Sequence, residues 1–102
     1  MLMKQKVISA ANKHILFLPH AIKQMSRPDR MITTDEIRKT ILHGEVIEEY
    51  TNDPRGESCL IFYKPCKRPL HVVCAPGTEY LVIVTAYLPE SNQWSTDFKT
   101  RR

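Results

Sequence analysis

Glycine is scarce in this chain, three among 102 residues, and neither a Walker loop nor a GxGxxG run occurs. Phosphate-loop and dinucleotide chemistry, which rest on backbone amides exposed at such loops, therefore have no motif behind them. No CxxC or HExxH is present. Cys59, Cys66 and Cys74 are separated by six and seven residues, unlike the close pairs of a zinc knuckle. Three cysteines, an odd number, fit reduced cytosolic thiols better than a disulfide framework. Long apolar runs are missing too. Ile15 to Leu18 and Leu81 to Val84 are far short of the ~20 residues that span a bilayer, and Met1-Leu2-Met3-Lys4 leads into no secretory hydrophobic region. The expectation is a cytoplasmic protein with no metal, no cofactor and no membrane partner. Glu48 and Glu49 are adjacent on a predicted strand and face opposite ways, which argues against a paired-carboxylate site.

What is present is the balance of a folded domain, with 42% hydrophobic and 25% charged residues. The net charge of +4 is unevenly spread. Residues 1–30 hold six bases and one acid, 31–57 three bases and seven acids, and 58–102 six bases and three acids. An acidic middle between basic ends forms one positive surface if the ends meet in space, and such a surface attracts phosphate polyanions. A solvated mixed-charge surface is the plain alternative.

No internal repeat or linker divides the chain, so the reading is a flexible segment 1–12 ahead of one α+β domain, 13–102. His14 to Leu18 can pair as an edge strand or cap the core. Pro19 suits the first turn of a helix over about 19–26, where Ala21 and Met25 share one face and His20, Gln24 and Arg27 another. Thr33 and Glu36 form a capping box for a second helix, with Ile32 and Ile37 as a hydrophobic staple. Ile37, Ile41 and Leu42 make its buried stripe, and Gly44 its stop. From Glu45 onward the pattern turns to strands: Glu45–Tyr50, Ser58–Lys64, Leu70–Ala75 and Tyr80–Tyr87, separated by proline- and glycine-bearing turns. The predicted fold is two N-terminal helices packed on a four-stranded antiparallel meander. Trp94 and Phe98, at helical spacing, suggest a short tail helix, with Lys99, Arg101 and Arg102 in solvent.

Several side chains at element edges can move protons or bind anions. His20 at a helix N-terminus is disfavoured as a cation and suits a base near neutral pH; the alternative is a histidine hydrogen-bonded to a nearby loop. Arg27 and Arg30 can hold phosphate oxygens, or pair with Asp29 on the surface. His71 points away from the face carrying Leu70, Val72 and Cys74. Thr85 and Tyr87 fall beside it only in the even pairing register around Pro76-Gly77, and a one-residue slip separates them. If they meet, His71 can pass a proton while Thr85 and Tyr87 position an oxyanion or hydroxyl; otherwise they are a cross-strand polar cluster.

These pieces resemble a known family. His20-Ala21 with Met25 and an arginine before Ile32, Gly44-Glu45 with Ile47, Arg68-Pro69-Leu70-His71-Val72-Val73, and Thr85-Ala86-Tyr87 with Pro89, Trp94 and Phe98 are similar to the prokaryotic domain-of-unknown-function family 4258. The resemblance covers about residues 15–102 and extends to a toxin-nuclease fold of barnase-like, EndoU-like, colicin-like and RelE-like ribonucleases. It implies N-terminal helices before an antiparallel sheet, and a metal-independent ribonuclease in which a 2′-hydroxyl attacks the adjacent phosphodiester. His20 would be acid or base, Arg30 would hold the phosphate, and His71, Thr85 and Tyr87 would complete the pocket. Gln24 stands where the family commonly has arginine, and Arg27-Pro28-Asp29-Arg30 carries extra residues. The expected function is thus a toxin-like endoribonuclease acting on RNA, with Arg27, Lys67 and Arg68 as nucleic-acid contacts and an antitoxin as possible protein partner. The alternatives are a non-catalytic nucleic-acid or protein-binding module and, third, a small-molecule domain anchored by His71, Thr85 and Tyr87.

Overall fold

The computed structural model describes residues 2–54, 56–64 and 68–102; Cys66 and the candidate RNA contact Lys67 lie outside the described residues. In chain order the elements are α1 (Met3–Lys13), β1 (Ile15–Phe17), α2 (Pro19–Met25), α3 (Thr34–His43), β2 (Glu45–Tyr50), β3 (Ser58–Tyr63), β4 (Leu70–Pro76) and β5 (Leu81–Tyr87). The strands form one sheet in the order β1-β5-β4-β3-β2, antiparallel from β2 to β5 and parallel between β1 and β5. None of the described helices is long and apolar enough to cross a membrane.

The expectation of two helices on four antiparallel strands is corrected at both ends of the chain. The stretch read as flexible is α1, whose Met3, Val7 and Ala10 are buried. Their spacing of four and three is a helical stripe, but a narrow one set among Lys, Gln and Ser, so the local apolar signal is weak. Packing supplies what the pattern lacks: Lys6 pairs with Glu57 at 2.9 Å, and Lys4 donates to the Gly44 carbonyl oxygen. The run after His14 is a true edge strand, β1, set in register by Ile15 beside Leu81 and Phe17 beside Ile83. It makes the sheet five-stranded and mixed. At the other end, no helix follows Pro89. Trp94 instead bridges Arg101, and the Arg102 N–H donates to the Gln93 carbonyl, so the tail doubles back on itself.

One face of the sheet carries Cys59, Ile61, Leu70, Val72, Cys74, Leu81, Ile83 and Ala86, buried against the helices. Ala21 and Met25 of α2 point into this core as their spacing requires. In α3 the capping box forms as read, with the Glu36 N–H donating to Thr33 Oγ1 at 3.1 Å and the Thr33 N–H to Glu36 Oε1 at 3.0 Å. Ile32 and Ile37 are both buried across it. The stripe itself shifts by one position. Thr40 is buried, its hydroxyl returned to the Glu36 carbonyl at 2.8 Å, while Leu42 is half exposed.

Gly44 ends α3 by close approach, and not through a left-handed turn, since its φ is −77°. A Cβ there would strike the Thr40 carbonyl oxygen and sit 2.6 Å from Ile61 Cγ2 and 2.7 Å from the Phe62 carbonyl oxygen. Overpacking of this kind costs about 1–3 kcal/mol. Gly44→Ala is accordingly expected to lower the unfolding free energy by that amount, read as a lower urea midpoint at unchanged m-value in equilibrium unfolding.

Candidate functional site at one end of the sheet

The topology gathers most of the chemistry-bearing residues at the end where β4 begins and β5 finishes. β4 and β5 are antiparallel, so His71 stands directly across from Tyr87. β1 runs parallel to β5, and the Leu18 N–H donates to the Ile83 carbonyl at 3.2 Å. The chain therefore leaves β1 toward the Thr85–Tyr87 end, and His20 follows in the first turn of α2. Arg68 precedes β4 by two residues at that same end.

Register decides whether His71 meets its partners. Around the Pro76-Gly77 turn the pairing is odd, with Pro76 opposite Leu81 and Cys74 opposite Ile83. It then shifts: Val73 is opposite Thr85 and His71 opposite Tyr87, leaving Val84 as the extra residue of a β-bulge. Strict alternation along β5 would put Leu81, Ile83, Thr85 and Tyr87 on one face, and the bulge breaks it. Leu81 and Ile83 face the core, while Thr85 and Tyr87 join His71 and Val73 on the other face.

On that face His71 is fully buried, and both ring nitrogens are occupied. Nε2 lies 2.8 Å from the Phe98 carbonyl oxygen and Nδ1 3.2 Å from Tyr87 Oη. A carbonyl only accepts, so Nε2 carries the proton and Nδ1 accepts from the tyrosine hydroxyl. Edge-on rings enclose the imidazole, with Trp94 at 4.4 Å, Tyr87 at 5.3 Å and Phe62 at 6.0 Å between centroids. Burial lowers the pKa of His71 from its ordinary value of 6.5, against the opposing pull of the Phe98 carbonyl and Glu48. Burial likewise raises that of Tyr87. The pair is neutral, with a directed O–H···N hydrogen bond.

A second cluster on this face was not read from the sequence. Arg101 donates to Glu48 through Nε at 2.9 Å and Nη2 at 3.0 Å, while Tyr50 Oη donates to Glu48 Oε1. The Arg101 hydrogen bonds hold the Glu48 carboxyl below its usual range, and burial with the Glu48 contact pushes Tyr50 up to about 12. Lys99 pairs with Glu45 at 3.0 Å. Lys99 and Arg101 are exposed as expected yet tied to β2, and the Arg101 guanidinium lies 4.7 Å from the Trp94 ring centre. Glu48 does face away from Glu49, as strand alternation requires, but its arginine partner comes from 53 residues further along the chain.

The arginines and His20 belong to the helix side of the same end. Arg68 grips Glu36 with two hydrogen bonds, at 3.1 and 3.0 Å, and donates to the carbonyls of Arg30 at 2.7 Å and Met31 at 3.3 Å. It clamps the turn before α3, where Met31 holds a φ of 50°, onto the capping box. Arg27 pairs with Asp29 at the surface, at 3.3 Å. Arg30 donates to Gln24 Oε1 at 3.1 Å and pairs with no carboxylate among the described residues. His20 is exposed. So His71, Tyr87 and Thr85 are brought together, His20 and Arg30 stand at the same end on α2 and its following turn, and Arg27 and Arg68 are engaged with acids. Among the described residues no three His, Cys, Asp or Glu side chains cluster as a metal site. Beside the site, Leu18, Val73, Ala75, Val82 and Val84 floor an apolar groove of about 400 Å³ rimmed by Tyr50, Asp53 and Ser58.

His71 gives the protein a pH signature. Its folded-state pKa is depressed, so below about 6.5 the unfolded chain binds the extra proton and the fold does not. The stability His71 contributes is present above that pH and is lost as pH falls through the lower folded value. The melting temperature is expected to drop between pH 7 and pH 5. In His71→Gln it should start lower and vary less across that window, as followed by circular dichroism.

No curated protein and no solved structure matches this chain. A protein-family model described as a domain of unknown function, DUF4258, matches residues 17–88. That span holds His20, Arg30, Arg68, His71, Thr85 and Tyr87 and leaves out α1 and the tail. Matched over more than half its length, the chain belongs to the DUF4258 family.

Proposed function

We propose that the protein is a ribonuclease acting by general acid–base chemistry, in which a 2′-hydroxyl attacks the adjacent phosphodiester and the 5′-oxygen leaves. The observation that carries the reading is the placement of His20, Arg30, Thr85 and the His71–Tyr87 pair at one end of the sheet. Such a reaction needs a group to take the proton of the attacking hydroxyl, another to protonate the leaving oxygen, and a cation for the charge that builds on phosphorus oxygens. His20, exposed at the start of α2, serves as one proton-transfer group. Tyr87 serves as the other, taking the proton of the attacking hydroxyl as its own passes to Nδ1 of His71 while His20 protonates the leaving oxygen, so that His71 works through Tyr87 and is a positioning residue. Arg30, free of any carboxylate partner among the described residues, binds the phosphate. Thr85, half-buried on the His71–Tyr87 face, offers a hydroxyl beside Tyr87. The resemblance to toxin-type ribonucleases read from the sequence points the same way and implies a reaction independent of metal. Cytoplasmic RNA and an antitoxin are the corresponding substrate and partner.

A second reading, a non-catalytic binding module, is favoured by the apolar groove beside the site, which is shaped to receive a partner's side chains. One experiment separates the two. Labelled mixed RNA incubated in chelator should be cleaved by the wild type, with rates about 10²- to 10⁴-fold lower in His20→Ala and Tyr87→Phe and a raised KM in Arg30→Ala. Absence of cleavage by folded wild-type protein overturns the ribonuclease reading. Retained binding that weakens steeply with salt would then identify a phosphate-binding module.

A further inference from the structure

We infer that the C-terminal tail, residues 89–102, is a working part of this site: it fixes the His71 imidazole through the Phe98 carbonyl and thereby directs the Tyr87 hydroxyl. The inference rests on the ribonuclease reading for its catalytic consequence, and on the geometry alone for its effect on His71. The tail lies beyond the family-matched span of residues 17–88.

Three sets of contacts build the device. The first aims the carbonyl. The Ser95 N–H donates to the Thr100 carbonyl at 2.8 Å, the Phe98 N–H to the Ser95 carbonyl at 2.9 Å, and the Lys99 N–H to Asp97 Oδ1 at 3.1 Å. Within this closed turn Phe98 is held at a φ of 61°, a conformation that a bulky residue adopts only when its surroundings impose it. That backbone turns the Phe98 carbonyl onto His71 Nε2 at 2.8 Å. The second set is apolar: Trp94, 2% exposed, closes over the imidazole edge-on. The third is an ionic latch to β2, Lys99 with Glu45 and Arg101 with Glu48.

The arrangement has the logic of a nucleophile–base–orienter chain, in which a third group fixes the ring so that its other nitrogen faces the proton to be moved. Here the chain runs from the Phe98 carbonyl through His71 to the Tyr87 hydroxyl. The charged and titratable groups about His71 are Glu48 from β2, Tyr87 from β5 and Arg101 from the tail. Release of the latch lets water reach the ring and frees Nε2 from the carbonyl.

The test compares wild type with Lys99→Ala/Arg101→Ala, which opens the latch, and with Asp97→Ala, an exposed change that loosens the turn and leaves the core untouched. Arg101→Lys is the conservative control. In histidine-labelled NMR the wild type should show one imidazole N–H protected from solvent exchange and a His71 titrating below 6.5. In both loosened variants that proton should be lost to exchange and the titration should move toward 6.5, while Arg101→Lys restores most of the wild-type pattern. RNA cleavage should fall about tenfold to a hundredfold in kcat with KM little changed, and the acid limb of the pH–rate profile should rise toward 6.5. An unchanged His71 signal in the loosened variants overturns the inference, as does a faster cleavage rate, which would make the tail a cover. If the wild type cleaves no RNA yet His71 responds as described, the ribonuclease reading fails and the tail's hold on His71 stands.

Discussion

Where β4 meets β5 the register shifts by one residue, and the extra residue, Val84, sets what the rest of the site consists of. Below the bulge, odd pairing places Leu81 and Ile83 under the helices. Above it, even pairing places Thr85 and Tyr87 on the opposite face with His71. Without the shift, a strand of strict alternation would carry either all four into the core or all four out of it. The bulge lets one strand serve the core at its start and the site at its end, and it does so within seven residues.

Placing a histidine on the second face carries its own requirement. A fully buried imidazole must find partners for both nitrogens, because an unsatisfied buried polar atom costs about 1–3 kcal/mol. Tyr87 supplies one partner from the neighbouring strand. The other comes from the tail, whose carbonyl reaches the ring only because the chain reverses at Phe98 and is tied to β2 by Lys99 and Arg101. No buried side-chain nitrogen or oxygen among the described residues is left without a partner. Arg68 solves a similar problem on the other side, where its guanidinium satisfies Glu36 and two carbonyls of the turn before α3 at once. A side chain that reads as an RNA contact in sequence also clamps this turn in the fold.

Much of the fold was legible because it is written in short-range pattern. The Thr33–Glu36 box, the Ala21–Met25 face of α2 and the alternation of β4 each involve residues within four or five positions of one another, and each forms as read. The site is legible in part: His71, Thr85 and Tyr87 carry the proton chemistry, and register alone decides whether they meet. Glu48 was seen only as a neighbour of Glu49. Its importance comes from Arg101, and no local signal joins positions so far apart. Trp94 and Phe98 have a helical spacing that the fold does not use. Their spacing of four fits a helix, but the pull of the His71 face and the Trp94–Arg101 bridge folds the segment into a reversal.

The sequence by itself determined which segments between residues 19 and 87 are helix or strand, where α3 begins, and which side of β4 is apolar. All of these follow from propensity, capping and periodicity over a few residues. Tertiary structure decided the rest. It turned the weak stripe Met3-Val7-Ala10 into a packed helix, paired β1 parallel to β5, bulged β5 to bring Tyr87 to His71, and laid a basic tail over an acidic strand. Those outcomes depend on which distant surfaces bury each other and which polar atoms then need partners, conditions that exist only once the chain has closed on itself.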